Sequence, residues 1–78
     1  MIFRLRLKNN NKIVKEAITF KEIIQGVQRN KFWKITTEVD NTEVTLIENF
    51  KKYFCIYAEA EYLLNIDCDI IAKMLVWE

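Results

Sequence analysis

The first eight residues alternate without a break. Met1, Phe3, Leu5 and Leu7 fall on one side, and Ile2, Arg4, Arg6 and Lys8 on the other. A period of two marks a strand with one face buried and one face wet. A chain that starts this way is committed to a sheet whose apolar side must be covered. Asn9-Asn10-Asn11 reads as a turn, since asparagine tolerates positive φ. Lys12 to Ile18 is two-faced. It suits a returning strand, yet Ile13, Ala17, Phe20, Ile24 and Val27 also recur at the four-three spacing of a helix. We favour a hairpin, because Thr19 and Glu22 form the capping-box pattern that opens a helix only after it. That helix is expected to run to about residues 29–30, with Phe20, Ile23, Ile24 and Val27 inward.

Phe32 to Val39 is rich in β-formers. Asp40-Asn41 then reads as a turn and Thr42 to Ile47 as the return strand, a second hairpin. Phe50 to Leu64 is apolar with Ala, Glu and Leu and suits a helix, although Phe54, Ile56, Ala58 and Tyr62 against Cys55, Tyr57, Glu59 and Glu61 also alternate like a strand. The helix is the favoured reading. Asp67 or Asp69 can cap a last short helix holding Ile70, Ile71, Met74 and Leu75. The expected fold is α+β: an antiparallel sheet of about four strands, built as hairpin, helix, hairpin, with C-terminal helical segments packed on one face.

At 78 residues the chain is read as a single domain spanning 1–78. A domain this small buries only about 60–65% of its unfolded surface. Two cysteines, Cys55 and Cys68, cannot supply a disulfide framework. Apolar residues make up 51% of the chain, and a small apolar chain without staples gains stability by self-association. A homodimer is therefore expected. No run approaches the ~18 apolar residues of a membrane span, and Arg4 and Arg6 interrupt any signal-peptide core. The expected setting is cytoplasmic, without a membrane, with reduced thiols.

Charge is split along the chain. Residues 1–37 carry nine Lys or Arg and two Asp or Glu, while residues 38–78 carry three and nine, so the halves stand at +7 and −6. Such asymmetry bears on partners. It can serve a basic or an acidic partner, it can drive self-association, or the fold can pair the halves internally.

Much chemistry is excluded. With no histidine, the commonest general base and the commonest metal ligand are missing. One glycine, Gly26, cannot build a phosphate loop. Cys68 lies between Asp67 and Asp69, whose charge disfavours a thiolate. Cys55, in an apolar run, is expected in the core. Glu59, Glu61, Asp67 and Asp69 are the only conceivable acid–base or metal set, and helix capping with a solvated face explains them more simply. No catalytic residue, metal or cofactor is expected.

Two binding surfaces remain. In the acidic half, Tyr53, Tyr57, Tyr62 and Trp77 offer amphipathic anchors, and Glu59, Glu61, Asp67 and Asp69 a polar rim. A protein partner with a basic groove fits this surface. In the basic half, Arg4, Arg6 and Lys8 share a strand face with Lys15 or Lys12 opposite, and Lys31 and Lys34 flank Phe32-Trp33. Cations interleaved with aromatic rings can bind nucleic acid, though the overall net charge of +1 is far below that of the usual nucleic-acid domain. Ile, Lys, Asn, Phe, Tyr and Met supply 37 of the 78 residues, the coding bias of an AT-rich genome. With its small size the chain resembles phage or mobile-element accessory proteins. The expected function is a non-enzymatic protein-binding module, of an inhibitor kind, with nucleic-acid binding or a structural homo-oligomer subunit as alternatives.

Overall fold

The computed structural model describes residues 1–28, 30–50 and 53–75. The opening alternation forms β1 (Phe3–Leu7), which buries Phe3 and Leu5. Asn11, at φ 59°, turns the chain into β2 (Ile13–Ala17), so the hairpin reading is correct. Thr19 caps α1 (Phe20–Gln25), its hydroxyl accepting from the Glu22 N–H. The helix stops earlier than the expected residues 29–30. Gly26 N–H bonds back to the Ile23 carbonyl at 3.1 Å and Val27 N–H to Ile24 at 3.1 Å, a tightened last turn that ends the helix.

β3 (Trp33–Val39) and β4 (Thr42–Asn49) form the second hairpin. Asp40 and Asn41 join them at φ 50° and 64°, the paired positive angles of a hairpin turn that matches strand twist. Ile35 pairs with Ile47 while Thr36 pairs with Thr45. The extra residue is a bulge at which both Leu46 and Ile47 are buried.

The expected helix over 50–64 is only half right. Phe50 N–H bonds the Tyr53 carbonyl at 2.7 Å, and Phe54–Ile56 forms β5 against the outer edge of β4. The sheet therefore has five strands rather than about four, in the order β2-β1-β3-β4-β5, with every neighbouring pair antiparallel. An open β4 edge offers Phe54–Ile56 ladder bonds that outweigh the helical tendency of so short a stretch. Helix begins only at α2 (Ala58–Leu64), which ends on left-handed Asn65. Asp67 caps α3 (Cys68–Met74) by accepting from the Ile70 N–H.

All three helices contribute to the core on one face of the sheet. Ile23 and Ile24 of α1, Ala60 of α2 and Ile71 of α3 join Phe3, Leu5, Trp33, Ile35, Leu46 and Ile47 in one buried cluster. Phe3 and Phe20 meet edge to face at 5.9 Å. This is a small α+β fold, with helices over one side of the sheet and charged side chains on the other.

Candidate functional site

The open face of the sheet resolves the charge asymmetry. β1 lies between β2 and β3, so Arg4 reaches a carboxylate on each side: Glu16 at 3.3 Å and Glu38 at 3.2 Å. Arg6 reaches across β3 and takes Glu43 with two nitrogens, at 2.7 and 3.3 Å. Glu38 and Glu43 sit directly opposite each other, an unfavourable like-charge pair that the two arginines offset. The buried Thr36 hydroxyl donates to Glu43 at 2.6 Å. That bond first, and Arg6 second, hold the Glu43 carboxyl below its ordinary range. At the far side, Glu48 takes the Tyr57 hydroxyl at 2.6 Å and stands 3.6 Å from the Lys8 ammonium. The bond to Glu48 is the main reason that the Tyr57 phenol is pushed up to about 12. Each glutamate on a strand thus has a cation from the N-terminal half. Internal pairing accounts for much of the +7 and −6.

The nucleic-acid candidates fare accordingly. Arg4 and Arg6 are engaged with carboxylates. Lys15 is not on their face: it sits opposite Leu5 and donates to the Glu22 carbonyl at 2.7 Å. Lys34 shares the open face, in register with Arg6 and Glu48. Trp33 is 1% exposed, so its ring belongs to the core and cannot stack on a base. Neighbouring Phe32 is 54% exposed. A cationic aromatic cluster does exist, at the strand ends. Lys8 lies 4.0 Å above the Phe50 ring, and Phe50 stacks on Tyr53 at 4.9 Å. Lys8, Asn9, Phe32 and Phe50 line one cleft there. Phe50 was not singled out by sequence; an aromatic at the end of a strand beside Lys51-Lys52 was the available signal.

The protein-interface candidates divide into two groups. Tyr53 joins the Phe50 cluster, and Tyr57 precedes α2 and holds Glu48. Glu59, Glu61, Tyr62, Asp67 and Asp69 gather on α2 and α3. The Glu61 carboxylate accepts the Cys68 N–H at 2.9 Å, tying the two helices together. Asp67 is spent on its cap. Tyr62 is 86% exposed. Among the described residues none of these acids makes an ion pair. Trp77 lies outside the described residues.

Both cysteines are free and half-buried. Hydrogen bonding to Glu61 is the first cause that raises the Cys68 thiol, and Asp69 and Asp67 add less. Cys55 is not a core residue as expected: it is half-buried and paired opposite Glu48, because β5 turns it to the charged face. Among the described residues no three His, Cys, Asp or Glu cluster as metal ligands, and no helix is long and apolar enough to cross a membrane. Comparison with known proteins finds no family model that matches the chain, no curated relative and no similar solved structure.

Proposed function

We propose that the chain is a small non-enzymatic protein-binding module, an inhibitor of the kind phage and mobile elements carry, docking its α2–α3 layer onto a basic surface of another protein. One observation carries this reading. Tyr62 is 86% exposed among the acids of α2 and α3, whose charge no described cation pairs, while the strand acids are paired. A tyrosine anchor within a charged rim is the usual anatomy of a protein interface.

The test is affinity capture from the native host with wild type, Tyr62→Ala and Glu59→Lys. A partner held by wild type and weakened about 30-fold by Tyr62→Ala, the scale of a hot spot, supports the reading, provided that thermal melts coincide. Capture that both variants retain undiminished refutes it. Turnover of any substrate lost on Asp67→Ala or Glu59→Ala refutes the non-enzymatic part. The proposal extends to a homodimer through the outer edge of β2, where Ile13 is exposed, as is Ile18 just past its end, and no further strand pairs among the described residues. A concentration-independent monomer mass in light scattering removes that extension.

A second reading rests on the Lys8–Phe50–Tyr53 cluster beside exposed Phe32. Rings next to cations suit single-stranded nucleic acid. Oligonucleotide binding that falls steeply with salt, and falls again on Phe32→Ala and Tyr53→Ala, favours it over protein docking.

A further inference from the structure

The sheet sends three chain connections to one end: 8–12 between β1 and β2, 26–32 between α1 and β3, and 50–53 between β4 and β5. In sequence each holds two Lys or Arg, and none holds an Asp or Glu. Hydrogen bonds draw them together. The Lys8 N–H donates to the Phe32 carbonyl at 2.9 Å. The Lys8 ammonium donates to the Asn49 carbonyl at 3.1 Å, one residue before the third connection. At the opposite end the turn between β3 and β4 carries Asp40 instead. Lys12 and Lys31 are exposed, and among the described residues neither makes an ion pair. Positive charge gathered from three segments with no acid among them attracts a polyanion.

The rings decide which polyanion. Phe32 and Tyr53 are exposed. Phe50 is not available for stacking: Lys8 lies over its ring and Tyr53 stacks on it, and one face cannot hold both. The free platforms are Phe32 and the outer face of Tyr53. Phe32 walls two clefts. One, of about 360 Å³, is lined also by Lys8, Asn9 and Phe50. The other, of about 200 Å³, is lined also by Leu7, Asn9, Asn30 and Lys31. Asn9 and Asn30 are exposed, so carboxamides stand beside the ring. An unpaired base stacks on such a ring and hydrogen-bonds through its edge. Bases within a duplex have no free face to offer. A lipid surface would gain from the rings but would have to strip water from the carboxamides.

We propose that this end of the sheet binds single-stranded nucleic acid, with one base stacked on Phe32 beside Asn9 and Asn30, a second on Tyr53, and phosphates held by Lys12 and Lys31. The proposal rests on the nucleic-acid reading above and names its base platforms. It shares no residue with the α2–α3 surface, so it stands whether or not that surface docks a protein.

The assay is fluorescence anisotropy of a labelled single-stranded oligothymidylate of about 12 nucleotides, titrated with the full chain. Two neutralised phosphates give a log–log salt slope of about −1.4 on a single strand, so raising salt from about 50 to about 200 mM should weaken binding about sevenfold. Lys31→Ala should flatten that slope by about 0.7. Phe32→Ala should weaken binding about tenfold, while Phe32→Tyr, which keeps a ring, retains it. Both positions are exposed, so thermal melts of these variants should coincide with wild type. Tyr62→Ala should change nothing. No binding of the single strand at low salt overturns the proposal and the nucleic-acid reading together. Binding that Phe32→Ala leaves undiminished overturns this site and leaves that reading standing. A duplex of the same sequence length bound as tightly, or tighter capture by phosphatidylserine vesicles than by the oligonucleotide, overturns the proposal as well.

Discussion

The carboxamide of Asn49 should be among the most consequential polar groups of the fold. It is 9% exposed at the end of β4. Its Oδ1 accepts the Trp33 N–H at 2.6 Å, and its Nδ2 donates to the Lys31 carbonyl at 2.7 Å. It therefore fastens the entry of β3, where the ladder with β4 has ended. Asn49→Ala strands the buried Trp33 N–H, at about 1–3 kcal/mol. The Lys31 carbonyl is only part-buried and reaches water, so it adds roughly 0.5 kcal/mol. The expected loss is about 2–3 kcal/mol. A domain of this size has a total stability of about 4–12 kcal/mol, so the loss is a large share. Urea denaturation should show the midpoint falling by roughly 1–2 M with the slope unchanged. Asn49→Asp keeps the acceptor but turns a second acceptor toward the Lys31 carbonyl. It should destabilise at neutral pH and recover below about pH 4, where a protonated carboxyl donates again. A loss below ~0.5 kcal/mol for Asn49→Ala, the size of an ordinary surface change, would refute the assignment of these two bonds.

Thr36→Val removes the hydroxyl that does most to lower Glu43. A carboxyl held below its ordinary value stabilises the fold above that value and loses the contribution as pH falls through the lowered one. Denaturation should show a deficit of about 1 kcal/mol or less at neutral pH, narrowing in acid, since Glu43 is partly exposed. Ultraviolet titration should find one tyrosine ionising near 12, and Glu48→Gln should return it toward 10. The contact that raises it is complete below pH 10 and is lost as pH climbs through 12. Gly26→Ala should be nearly neutral in thermal melts, because the entropy it gains is offset by displacing Lys15 from the Glu22 carbonyl. In a Lys15→Ala background it should stabilise by about 0.4–1 kcal/mol, since Gly26 has helical angles that alanine accepts.

Features that depend on near neighbours were legible in the sequence. The alternation of β1, the asparagine turn before β2, the Thr19 and Asp67 caps and the Asp40-Asn41 hairpin each follow from residues a few positions apart. Their energetics are local: a side-chain oxygen on a nearby N–H, or an angle that asparagine tolerates. What tertiary structure decided is where those elements met. Phe54–Ile56 has mixed tendencies, and it became strand because the β4 edge had ladder groups to satisfy. Trp33 and Phe32 are adjacent, so a strand sends them to opposite sides. Register with Leu7 placed Trp33 in the core, where its ring can no longer serve nucleic acid. The charge asymmetry shows the same limit most plainly. A sequence lists its acids and bases along a line, but their energy falls with distance in space. Only the order β2-β1-β3-β4-β5 brings Arg4 to Glu16 and Glu38, and Arg6 to Glu43, and leaves the acids of α2 and α3 without a cation among the described residues.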